Sequence, residues 1–157
     1  MSLDKTEIVC NTFASNFTSI CDDKFLSLLK KNIFVFEREN MGHMVLVLKD
    51  FYPCNINKQN REIFIKYIIC ATEESIAISK KYNKSTSFTH LYLNNCSAKN
   101  FSLGFFKKIN KILSDRFDDT VENLYIYNNS TIFSNVWKVI RNFIDKDTRN
   151  RIVLQSE

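Results

Sequence analysis

Apolar and polar residues alternate along this 157-residue chain in short periodic blocks with little loop between them. From Thr6 to Cys21 the apolar positions Ile8, Val9, Phe13, Phe17 and Ile20 keep close to the i, i+4, i+8 spacing of one helix face. Asp22 then stands where an N-cap is needed for a second short helix, DKFLSLLKK. The runs NIFVFE and HMVLVLKD are β-branched and aromatic, and RENMG between them offers Asn40 and Gly42 for a tight turn. They predict an antiparallel strand pair. From Gln59 to Tyr82 there is no Gly or Pro, and apolar residues surround the segment from Ile63 to Ala71, which predicts a long, largely buried helix.

Beyond the polar break NKSTS the order becomes regular. FTHLYL reads as a strand, NCSAKN as a loop, and SLGFFKKINKILSDRF as a helix capped by Asn100 or Ser102, with Phe105, Phe106, Ile109, Ile112 and Leu113 at helical spacing. DDTVENLYIYNN gives a turn and a strand, SNVWKVIRNFI a helix, and RIVL a last strand. Strands that alternate with crossovers long enough to hold a helix predict an α/β fold: a mixed, mainly parallel sheet of about five strands, flanked by helices. Residues 1–31 read as a helical lead-in and 32–157 as one compact unit. The strands at Phe88 to Leu93, Leu124 to Tyr127 and Ile152 to Leu154 are expected to be mutually parallel.

Composition narrows the chemistry. With only two glycines, Gly42 and Gly104, neither a dinucleotide fingerprint nor a phosphate-binding loop can be written. No G-x-S-x-G elbow is present, and neither His43 nor His90 has a motif partner, so no enzymatic activity and no cofactor are expected. The carboxylate pairs Asp22-Asp23, Glu73-Glu74 and Asp118-Asp119 fit capping or solvated roles. Cys10, Cys21, Cys54, Cys70 and Cys96 are odd in number and lack a C-x-x-C pair, which favours reduced thiols, a cytoplasmic setting and no metal. Neither a signal peptide nor a membrane-spanning run is legible. The formal charge of +5 is spread along the chain; it allows an anionic lipid surface as a transient partner, and without an RNP-like motif no nucleic-acid partner is expected.

The last thirty residues carry the strongest signal. YIYNNSTIFSNVWKVIRNFIDKDTRNRIVL, Tyr125 to Leu154, resembles the CRAL-TRIO lipid-binding domain family, whose members include retinaldehyde, tocopherol and phosphatidylinositol transfer proteins. In that family a strand ends in an Asn-Ala-Pro-like turn, a helix of the form F-x-x-x-W follows, and F-hydrophobic-D-x-x-T-x-x-K-I leads into another strand. Asn128, Phe133, Trp137, Phe143, Ile144, Asp145, Thr148, Arg151 and Ile152 match in register. RENMGHMVLVLKDFYP is similar to the family's D-x-x-G-R-P-V strand entry, with His43 and Met44 in place of Arg-Pro. Tyr92 and Asn95 replace the family's Asp and Gly, and the family's C-terminal extension has no counterpart before Glu157.

The resemblance implies a non-enzymatic module that holds one phospholipid, such as a phosphoinositide, or another hydrophobic ligand between the sheet and a gate helix. Phe133, Val136, Trp137, Ile140 and Ile144 share one face of that helix, while Lys138 and Arg141 lie outside the stripe, where a membrane or headgroup would meet them. Tyr92, Tyr125 and Tyr127 are expected on the pocket floor, the last two on one face by the period of two. The alternative is a protein-interaction module of the same fold whose pocket has filled in, with a small GTPase regulator as its kind of partner.

Overall fold

A computed structural model describes residues 9–128 and 131–156. Its sheet has six strands in sequential order: β1 (Val9–Cys10), β2 (Ile33–Arg38), β3 (Met41–Val47), β4 (Ser87–Tyr92), β5 (Val121–Asn128) and β6 (Ile152–Ser156). β1, β2 and β3 pair antiparallel, and β3 to β6 are parallel. The five expected strands are present in the expected directions, and the two-residue β1 is added at the edge.

The lead-in departs from expectation. Instead of a helix from Thr6, Val9 and Cys10 pair with Phe36 and Val35, and a 3₁₀ segment follows at Thr12–Phe17; residues 1–8 lie outside the described residues. Tertiary burial decides here. Phe13, Phe17 and Cys21 join the same core as Ile68 and Ile126, and a tighter turn sets both phenylalanines against Tyr67 at 5.0 Å between ring centroids.

Helix α1 (Asp23–Asn32) is capped by Asp22, whose carboxylate accepts from Phe25 N–H at 2.8 Å. The hairpin between β2 and β3 turns on Glu39 and Asn40 alone, both with positive φ (51° and 61°), as a two-residue loop of the primed class requires. Gly42 is therefore not a turn residue. It lies within β3, and α2 (Lys58–Lys80) crosses so close above it that a Cβ there would come within 1.7 Å of the Ser75 carbonyl oxygen. Ser79 Oγ accepts from Gly42 N–H at 2.8 Å, and Ser75 Oγ donates to Ser87 Oγ on β4 at 3.1 Å. Small residues on three elements thus let the helix reach the sheet.

α3 (Leu103–Arg116) is capped by Ser102, and α4 (Thr131–Ile140) follows β5. The gate segment expected to stay helical to Ile144 instead ends at Ile140, with a 3₁₀ turn at Arg141–Phe143. Asp145 then caps a new short helix, α5 (Lys146–Asn150). Since β3 to β6 march in one direction through right-handed crossovers, α2, α3 and α4 all fall on the same face of the sheet.

Gly42→Ala should cost about 3 kcal/mol, the upper end for overpacking, because backbone meets the new methyl. Gly104→Ala, whose methyl would meet nothing within 4 Å in the first turn of α3, should stabilise by up to about 1 kcal/mol. Urea unfolding of the two variants checks both signs.

Candidate functional site

Between the helix layer and the sheet lies a cavity of about 340 Å³. Its floor is aliphatic: Met44, Leu46 and Leu48 from the β3 end, Thr89, Leu91 and Leu93 from β4, and Leu124 and Ile126 from β5. α2 contributes Phe64, Ile68 and Thr72 as one wall. α3 contributes Phe105, Phe106, Ile109 and Leu113, which are partly buried against the core and border the cavity, and none of its described residues is fully buried.

The expected gate residues fall as follows. Phe133 (buried) and Trp137 (half-buried) line the cavity with their rings stacked at 6.0 Å between centroids, and Ile144 lines it from beyond the 3₁₀ turn. Val136 is half-buried but does not reach the cavity wall, and the side chain of Ile140 lies outside the described residues. Lys138 and Arg141 are exposed.

The three tyrosines do not form the floor. Strand alternation places Tyr92, Tyr125 and Tyr127 on the opposite face, because their neighbours Leu91, Leu124 and Ile126 are the ones beneath the helices. There they join His43 and His90 in a stacked ring array, with Tyr92 on Tyr127 at 4.3 Å, His90 on Tyr125 at 5.2 Å and His43 on His90 at 5.2 Å.

The two histidines are partners across β3 and β4, a pairing invisible at a separation of 47 residues. His43 Nδ1 lies 2.9 Å from His90 Nε2, and His90 Nδ1 lies 3.0 Å from the Tyr127 hydroxyl. The chain is satisfied when Tyr127 O–H donates to His90, His90 Nε2–H donates to His43, and both rings are neutral. Burial, reinforced by His43 and Arg38, holds His90 down at about 4, and burial also lowers His43. The pair sits among rings. Among the described residues no group of three His, Cys, Asp or Glu is placed to hold a metal ion, and no helix is long and apolar enough to cross a membrane.

The matching D-x-x-T segment has a clear local role. Asp145 accepts from Thr148 N–H at 2.8 Å and from its hydroxyl at 2.7 Å, which lowers the Asp145 pKa and fixes α5. Arg151 then donates to Asp119 at 2.8 Å and to the Val121 carbonyl at 3.2 Å, tying the entry of β6 to that of β5. The strand-turn-gate segment is therefore pinned at its far end by a cap and an ion pair.

Helices over a sequential, mainly parallel sheet, with a largely apolar cavity between them, define an α/β domain. A family model described as the CRAL/TRIO domain matches residues 29–157, and the chain belongs to that family. Solved structures agree on the fold. The crystal structure of Sfh5 superposes with a TM-score of 0.70 at 16% identity, covering 82% of this chain and 50% of that one, so this chain spans about half its length. No curated protein matches the chain.

Because His90 is held below its ordinary 6.5 in the folded protein, stability is full above about pH 6.5. It falls as pH drops toward 4, where the folded state would have to take up the proton that the unfolded chain already holds. The loss attributable to His90 should be on the order of 3 kcal/mol. Urea unfolding at pH 7 and pH 4.5 should show a steeper decline for the native protein than for His90→Gln; equal declines would contradict it.

Proposed function

We propose that this domain holds one hydrophobic ligand in the cavity between sheet and gate helix, and exchanges it with membranes without covalent chemistry. One observation carries the reading: a family member's apolar cavity of about 340 Å³ stays open behind Phe133 and Trp137 instead of being filled by side chains. That volume lies within the roughly 300–1,000 Å³ of pockets that enclose small molecules. An acyl chain burying about ten methylenes there gains roughly 8 kcal/mol, enough to hold a lipid without a directional headgroup contact. The open cavity also speaks against the alternative of a filled-in interaction module.

The ligand class follows from the lining. Apolar side chains dominate the middle of the cavity, with Thr72, Thr89 and Asn110 as scattered polar groups, and the charged lining residues Asp118, Asp119, Asp145, Asp147 and Arg151 gather at one end, so the chain of the ligand is recognised more than its head. A phospholipid, including a phosphoinositide, would place its acyl portion here and leave its headgroup toward the cavity's exposed ends. The buried His43–His90 pair is on the other face and takes no part.

Native mass spectrometry of the purified protein should show excess mass of one lipid molecule, and mass equal to the bare chain after purification and after incubation with vesicles would end this reading. Trp137→Ala should lower lipid retention more than stability, because an acyl chain takes up part of the vacated space; in a packed, empty core the same change would cost about 3–5 kcal/mol. A thermal melt of Trp137→Ala beside tryptophan emission of the native protein during vesicle titration separates the two.

A further inference from the structure

The cavity has two unlike ends. Since β3, β4 and β5 are parallel, one end lies at their carboxyl termini and the other at their amino termini. The carboxyl end is closed by two loops, residues 48–58 and 97–103, held together by one buried side chain. The Asn100 amide nitrogen donates to the carbonyls of Leu48 (3.0 Å), Lys49 (3.0 Å) and Phe51 (2.8 Å), and its Oδ1 accepts from Ser97 N–H at 2.7 Å. Asn100 was a candidate helix cap by sequence; in the fold it is a staple between loops, and Ser102 caps α3.

These loops face two ways. Inward, Leu48, Phe51, Pro53 and Phe101 line the cavity. Outward, they carry two of the molecule's exposed large hydrophobic residues, Tyr52 (40% exposed) and Leu103 (45%), and Leu103 also lines the cavity. Around them stand the exposed Lys49, Lys58 and Lys99, with Lys107 and Lys108 on the next turn of α3; Asp50 is the one acid in residues 48–58 and 97–108. The amino end of the cavity differs in character. There Asp118, Asp119, Asp145 and Asp147 line it, interleaved with Arg116, Lys146, Arg149 and Arg151, so that acids and bases balance, and Arg151 is paired to Asp119.

We propose that the stapled rim formed by residues 48–58 and 97–108 docks on an anionic bilayer, with Tyr52 and Leu103 entering the headgroup boundary and the lysines meeting acidic lipid. Apolar tips ringed by cations are what such a surface binds, and the charge-balanced far end offers it no comparable attraction, so the rim sets the orientation. In that orientation Leu103, which belongs to both rim and cavity wall, touches lipid at the cavity's end. Lys138 and Arg141 are placed differently. α4 starts near the carboxyl end of β5 and runs back toward the entry of β6, which carries its last-turn cation away from the rim.

The test is sedimentation of the whole protein with vesicles of phosphatidylcholine alone and with about 30 mol% phosphatidylserine, at salt from about 50 to 200 mM. The native protein should bind the anionic vesicles and lose binding steeply with salt. Lys49→Gln/Lys58→Gln/Lys99→Gln should weaken it on the order of a hundred-fold, Tyr52→Ser should weaken it at every salt concentration, and Lys138→Gln/Arg141→Gln should leave it within about twofold. Equal binding to neutral and anionic vesicles, or loss with the Lys138/Arg141 pair and not with the rim lysines, would overturn the proposal. Lipid retained in native mass spectra reads the cavity's function separately: retained lipid without anionic-vesicle binding removes the rim alone, and vesicle binding by a protein that never retains lipid supports the rim and removes only the cavity reading.

Discussion

The contact on which the fold depends is the approach of α2 to β3 at Gly42. Side chains normally fill the gap between a helix and a sheet, but here backbone faces backbone at Gly42, with the small side chains of Ser75 and Ser79 of the helix and Ser87 of β4 in the seam. Their hydroxyls are fully enclosed, and each finds a partner: Ser75 Oγ lies within hydrogen-bond distance of Thr72 O and of Ser87 Oγ, and Ser79 donates to Ser75 O. This seam fixes the height and angle of α2. Its other half then drives Phe64, Tyr67 and Ile68 into the core beside Leu29 and Val35.

From that fixed edge the helix layer loosens toward β6. α2 buries Ile63, Phe64, Ile65, Tyr67 and Ile68 within a single stretch, whereas α3 buries none of its residues fully. Phe105, Phe106, Ile109 and Leu113 touch the core with part of their surface and leave the rest bordering the cavity. The cavity is thus a product of unequal seating: close contact over β3, held by small residues, and a standoff over β4 and β5, held open by large ones.

Much of this could be read from sequence, and most of what could not depends on contacts between distant segments. The strand pair around RENMG, the long helix from Gln59, and the parallel strands at Phe88, Leu124 and Ile152 follow from local periodicity, which survives folding intact. Periodicity also states correctly that Tyr125 and Tyr127 share a face, but it does not say which face the helices cover. Both faces of β5 are apolar, one aliphatic through Leu124 and Ile126 and one aromatic. A signal was present in Gly42 and Ser87, small strand residues that mark where another backbone comes close, and they point to the aliphatic side. The His43–His90 bond and the Asn100 staple were not legible, because each joins residues about fifty positions apart through side-chain geometry alone. The break after Ile140 was hidden for a different reason: the stripe from Phe133 to Ile144 is continuous in helical register, but Asp145 competes as an N-cap and restarts the helix.

The same gradient ranks the cavity walls by how much buried surface each would expose on moving. Lifting α2 would expose Phe64, Tyr67 and Ile68 together and break the Gly42–Ser79 bond, at roughly 1.5–3 kcal/mol for each large side chain. Moving α4 exposes Phe133 and the remaining buried part of Trp137, while its far end stays tethered through the Asp145 cap and the Arg151–Asp119 pair on either side of α5. Those tethers hold sequence neighbours in place without burying apolar area, so they guide the helix without adding to the cost of displacing it. Local opening follows the path with least buried surface. Of these two helices, the one with the shallower burial is also the one that carries the tryptophan, so the F-x-x-x-W motif lies on a wall that costs less to displace than α2.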